Sequence, residues 1–243
     1  MTPAAVGLRC PDHSGKARGV ARVARAGIGI RVGSSPLMAT HVLVAINVLV
    51  YLITVAQGAG LNNPGGRLLN DWLLFGPYVA QGDWWRLITA AFLHGSLLHI
   101  LFNMFALWWL GTAVESALGT TRFLLVYFAS ALAGSAGALI DTPTSAVVGA
   151  SGAVFGIMGA LLVLEYMATG SLAGNAMGMI VLNLAFSFAV PGIAIGGHIG
   201  GLIGGILAGI VIDQADRRGS QALSYVGCVA LAVVAVAGSL VVA

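Results

Sequence analysis

Residues 193–212 read IAIGGHIGGLIGGILAGIVI. No charged side chain interrupts this run, and its length is close to the roughly 20 residues that cross a hydrocarbon core of about 30 Å. In lipid every backbone polar group must be satisfied internally, so the run is predicted to be a helix. Gly197, Gly201, Gly205 and Gly209 recur every four residues and give that helix one continuously small face. Small faces let a second helix approach to backbone contact. One polar side chain, His198, interrupts the run. An imidazole in such a place is costly and calls for a partner or a task.

The rest of the chain is of the same kind. Apolar residues make up 58% of the 243, charged residues 8%, and the mean hydropathy is +0.97. A soluble domain carries about a quarter charged residues, so water is not the main solvent. Further apolar runs lie at about 38–57, 90–112, 122–140, 147–166, 172–190 and 222–242. The expected fold class is all-α, a polytopic membrane helix bundle; short alternating strands of the barrel type are absent from the sequence. Residues 1–36 read as a disordered basic cytoplasmic tail without a signal-peptide pattern, 37–213 as a six-span core, and 214–243 as a linker and seventh span. Most of the net charge of +3 falls in that tail, so a nucleic-acid partner is not expected. Cys10 and Cys228 sit in unlike surroundings, which implies no disulfide framework.

Orientation follows from the basic residues. With the N-terminus in the cytoplasm, the inner side collects Arg9, Lys16, Arg18, Arg22, Arg25, Arg31, Arg122, Arg217 and Arg218, while the outer side keeps Arg67 and Arg86. That asymmetry is the positive-inside pattern and puts the C-terminus outside. The connection at 58–89, with Trp72, Trp84 and Trp85, then lies at the outer interface.

Groups able to do chemistry occur in three runs: His94, His99 and Asn103 in the second, Ser151 in the fourth and His198 in the sixth. Even-numbered spans all run inward, so the three sets share a layer roughly 7–15 Å below the outer surface at 1.5 Å per residue. His99 and Asn103, four apart, lie on one helical face. Ser151 is placed at a helix start, where free amides and the dipole favour a developing oxyanion. Gly149 and Gly152 leave it unshielded, and Gly152, Gly156 and Ala160 offer a small face to match the sixth span. Each piece has a plainer reading: Gly149-Ala150-Ser151-Gly152 as a packing motif, His198 as a core residue or proton relay, His99 and Asn103 as interhelical ties. His94 reads as structural, bonded to loop backbone. A serine, two imidazoles and an amide at one depth on parallel helices exceed what packing alone requires.

Over about residues 38–212 the chain resembles the rhomboid family of intramembrane serine proteases. The likeness rests on Trp85-Arg86, His94, His99-Ile100-Leu101-Phe102-Asn103, Glu115 with Gly119, Gly149-Ala150-Ser151-Gly152 and Gly197-His198. It implies Ser151 as nucleophile and His198 as general base. It also implies an oxyanion hole from the Ser151 amide, His99 and Asn103, and an aromatic ring, Phe155, against the catalytic histidine. The seventh run matches the family's six-plus-one form. Some bacterial relatives carry a zinc-ribbon-like N-terminal segment; Cys10-Pro11-Asp12-His13 cannot supply four ligands, so no metal or cofactor is expected. No carboxylate stands ready for His198: Asp141 reads as outer loop, and Glu115, Glu165, Asp213 and Asp216 lie toward the cytoplasm. A dyad held by ring packing is therefore expected. The implied substrates are single-span or other transmembrane proteins in the bilayer, entering near 172–190 and Pro191-Gly192, with Phe186 and Phe188 as gate and cap. A non-cutting rhomboid-like binder and a small transporter are the alternatives; the latter lacks the intramembrane acids and internal repeats it would need. A zinc protease is excluded by the lack of His-Glu-x-x-His.

Overall fold

The computed structural model describes residues 39–243 and two short strands, Thr2–Pro3 (β1) and Leu8–Arg9 (β2), which pair antiparallel. The rest of the expected tail, including Cys10-Pro11-Asp12-His13, lies outside the described residues. From Ala39 onward the chain is helical: α1 (Ala39–Gln57), α2 (Gly66–Trp72), α3 (Gly76–Ala80), α4 (Arg86–Thr89), α5 (Leu97–Ala106), α6 (Thr112–Leu118), α7 (Thr120–Asp141), α8 (Ser151–Thr169), α9 (Asn175–Ala189), α10 (Ile195–Arg217) and α11 (Gln221–Val242). A π turn at Leu107–Gly111 joins α5 to α6 into one span, Leu97–Leu118. Among the described residues, six helices are long and apolar enough to cross a membrane: α1, α5–α6, α7, α8, α10 and α11. The protein is a multi-pass membrane helix bundle.

Several expected boundaries shift by a few residues, and the starts of the second and fourth spans do so for plain local reasons. The second span begins at Leu97 rather than near residue 90, because α4 and the 3-10 turn Ala90–Phe92 end in an extended Leu93. Ser96 then restarts the chain by accepting a hydrogen bond from the His99 amide. The fourth span begins at Ser151 and not near 147, since Leu74 and Val147 pair as extended backbone. The fifth is only 15 residues, Asn175–Ala189, or about 22 Å at 1.5 Å per residue, and stops before Pro191.

α7, α8 and α10 form the centre, and α11 packs on α7 and α10. The glycine face of α10 meets α8 at backbone distance: a Cβ on Gly201 would lie 2.0 Å from the Gly152 carbonyl oxygen, and one on Gly205 1.9 Å from that of Gly156. α7 joins the same seam, since a Cβ on Gly137 would lie 2.1 Å from the Gly196 oxygen.

Two polar clusters hold the periphery. Arg86, buried, donates to Asp83 Oδ2 at 2.9 Å and to the Asn70 and Leu73 carbonyls at 2.7 and 3.1 Å, with its guanidinium over the Tyr78 ring. It thus ties α2, α3 and α4 together, while Trp85 donates weakly to the Asp71 carbonyl at 3.4 Å and stays exposed. Glu115 does comparable work at the start of α1. Its carboxylate accepts from the Ala39 and Thr40 amides at 2.8 and 2.9 Å, from the Thr40 hydroxyl at 2.6 Å and from Thr120 at 2.8 Å. Charged acceptors contribute about 1.5–3 kcal/mol per bond, and these four share one group. Glu115→Ala should therefore lower stability by about 3 kcal/mol, read as a lower melting temperature in detergent; an unchanged melting temperature would remove this role.

Candidate active site

α8 begins at Ser151, so the amides of its first turn have no intrahelical carbonyl to bind. The preceding turn is fixed by Gly149, whose amide donates to the Ala90 carbonyl at 3.0 Å. Gly149 has φ +134°, and a Cβ there would lie 2.8 Å from His99 Nε2. Backbone conformation and the neighbouring imidazole both demand glycine at this point.

Opposite it, α10 presents His198 in its first turn. Asp141, the last residue of α7, accepts a hydrogen bond from the Gly196 amide at 3.0 Å and anchors that turn. Across the glycine seam His198 Nε2 lies 2.8 Å from Ser151 Oγ. Neither side chain is long enough to bridge an ordinary helix spacing of 8–10 Å with room to spare. The contact follows from the missing Cβ atoms of Gly152 and Gly201. Phe155, one turn along α8 from Ser151, lays its ring on the imidazole at 4.3 Å between centroids and 20° between planes.

The second span brings the remaining groups. His99 Nδ1 accepts from the Gly95 amide at 3.4 Å, which leaves the ring proton on Nε2, beside Gly149. Asn103 is buried and donates one of its two amide hydrogens to the His99 carbonyl at 2.9 Å. His94 does not bond to loop backbone as expected. It is fully buried, packs edge-on against His99 at 5.0 Å, and neither ring nitrogen has a partner among the described residues. Trp85 and Arg86 act in the loop and not at Ser151. Among the described residues no group of three or more histidine, cysteine or acidic side chains could hold a metal ion.

Two residues that support His198 carry little signal in the sequence. One is Asp141, which reads as loop but closes the first turn of α10. The other is Ser187 on α9, whose hydroxyl oxygen lies 2.7 Å from His198 Nδ1. Only its being a small polar residue in an apolar helix marks it.

The rhomboid domain profile matches residues 81–215, more than half of the chain. Among curated proteins, the rhomboid protease GluP of Bacillus subtilis is 38% identical over 163 residues, covering 65% of this chain and 32% of GluP. YdcA of the same bacterium is 41% identical over 110 residues, 45% of this chain and 55% of YdcA. RHOMBOID-like protein 5 of Arabidopsis thaliana is 43% identical over 86 residues, 35% of this chain and 28% of that protein. The matches thus span between about a quarter and about half of these relatives' own lengths. The matched domain runs from the loop before α4 through most of α10 and takes in both Ser151 and His198, and the chain belongs to the rhomboid family.

Proposed function

We propose that this chain is an intramembrane serine endopeptidase that cuts transmembrane proteins in or near their membrane segments. The observation that carries the reading is the 2.8 Å contact between Ser151 Oγ and His198 Nε2. His198 takes the Ser151 proton as Oγ attacks the peptide carbonyl, and returns it to the departing amine, leaving an acyl-enzyme. Water, deprotonated by the same nitrogen, then releases the carboxylic product. The oxyanion is met by the Ser151 amide at the start of α8, by His99 Nε2–H and by the second N–H of Asn103. Donors of this kind are each worth about 10²–10³ in kcat.

The excess of arginine and lysine on the N-terminal side supports an active site that opens outward. Lateral entry between α5 and α9 is supported by how lightly α9 is held: it buries only Ala176, Ile180 and Ser187. Glu165 pins its inner end by accepting from the Ala176 amide at 2.9 Å. Near its outer end the exposed ring of Phe186 meets Phe102 of α5 at 6.4 Å, and Phe188 is exposed beside it.

The reading is tested with purified protein in detergent and a single-span reporter substrate, products mapped by mass spectrometry. The expected result is a discrete cut at the outer part of the membrane segment, absent with Ser151→Ala. Intact substrate that nevertheless co-purifies with wild type would instead mark a non-cutting binder. Phe155→Leu keeps bulk but removes the flat ring, which is worth about 0.5–1.5 kcal/mol in stacking. It should lower kcat about 3–10-fold with little change in KM; an unchanged kcat would show that the stack does not hold the base.

A further inference from the structure

Ser187 lies on the helix proposed as the gate, is 2% exposed, and sits on the far side of the imidazole from Ser151. Its hydroxyl oxygen is 2.7 Å from His198 Nδ1 and also 2.7 Å from the Asn183 carbonyl oxygen, one turn back on α9. A hydroxyl has one proton, and a carbonyl oxygen can only accept. Both contacts are hydrogen bonds only if Ser187 donates to Asn183 and accepts from His198. The proton on the ring must then be on Nδ1, and Nε2 is left with its lone pair facing Ser151.

We propose that Ser187 is a positioning residue for His198, the third member of a Ser151–His198–Ser187 chain that ends on the Asn183 carbonyl of α9. It rests on the protease reading above. Its task is to select the tautomer that can act as base and to hold the ring plane in line with Ser151. A carboxylate does this in soluble triads. At this buried position between membrane helices an ionised acid would be costly, and a neutral hydroxyl polarised by a backbone carbonyl supplies an acceptor without a charge. As the imidazolium forms, its Nδ1–H becomes a stronger donor to the same oxygen, so the bond favours the transition state over the ground state. Because the acceptor belongs to α9, the base is fully oriented only while α9 is seated against α10.

The test uses the full chain in detergent micelles with ¹⁵N-labelled histidine, the His198 signals being assigned by their loss in His198→Ala. Wild type is expected to show the Nδ1–H tautomer, and Ser187→Ala a mixture of tautomers. In cleavage assays Ser187→Ala should lower kcat about tenfold with KM within about twofold, while Ser187→Thr, which keeps the oxygen, restores both the tautomer and most of the rate. A structural role alone would lower melting temperature without moving the tautomer. An active wild type with its proton on Nε2, or a Ser187→Ala protein with unchanged tautomer or kcat, overturns the proposal. Failure of the protease reading looks different: wild type then neither cleaves nor reacts with a serine-directed fluorophosphonate.

Discussion

Ser151→Ala and His198→Ala should each lower the cleavage rate by at least about 10⁴, and the double variant should be no worse than either single one. In soluble serine proteases, loss of the nucleophile or base costs about 10⁶ in kcat, with a residual rate of about 10³–10⁴ over water from the oxyanion site and binding. On the proposed mechanism those residual donors are the α8 amides, His99 and Asn103. The non-additivity is the sharper expectation. If His198 acts only by activating Ser151, removing it from a protein already lacking the hydroxyl changes nothing. Ser151→Ala deletes a single oxygen and should shift stability by less than about 1 kcal/mol. His198→Ala opens space against Phe155, so its melting temperature must be measured beside its rate. Additive losses from the two substitutions would mean that the residues act independently, and the pair would dissolve as a mechanism.

The second large effect belongs to the helix seam. A single methyl on Gly201 would sit 2.0 Å from the Gly152 oxygen and 2.6 Å from its carbonyl carbon. Nothing on that side is a flexible side chain that can swing away; both contacts are backbone. Gly201→Ala must therefore push α8 and α10 apart by about 1 Å or more. Overpacking of this kind costs about 1–3 kcal/mol, and a misplacement of about 1 Å can cost 10² in rate. The expected protein is less stable and at least about 100-fold slower, with the Ser151–His198 contact lengthened. Gly238→Ala on α11 supplies the control, because nothing lies within 4 Å of a Cβ there. It should leave the rate unchanged and should not lower stability, since alanine favours a helix over glycine. Equal behaviour of the two variants would contradict the seam account.

The helical class and the α8–α10 contact are legible in the chain because each is periodic. Apolar runs of about 20 residues mark spans, and glycines at every fourth position mark a face. Periodicity does not carry where a helix starts. The second span reads as continuous from residue 90 because Ala90, Ala91, Phe92 and Leu93 are as apolar as α5 itself, yet the chain turns there and restarts at Ser96. The reacting groups therefore stand nearer their helix starts than a count along continuous spans gives: Ser151, His99 and His198 all lie in the first turns of their helices. Long-range polar contacts are equally hidden. Glu115 reaches the α1 amides across 75 and 76 positions of sequence. Ser187 reaches His198 across a break at Pro191-Gly192, where no helical period survives to relate them. The place of α7 in the glycine seam is hidden too, because Gly134 and Gly137 are three apart and isolated, unlike the four-residue ladder of α10.

The most direct test of the nucleophile–base pair is the reaction of the purified protein with a fluorophosphonate, with peptide mapping of the adduct. Capture of phosphorus requires an activated serine oxygen and no substrate docking, so it isolates the pair from gate and specificity. One adduct is expected, on Ser151, and its rate of formation should fall at least about 10³-fold in His198→Ala. An adduct on a different residue, or equal labelling of Ser151 with and without the imidazole, would contradict that pairing.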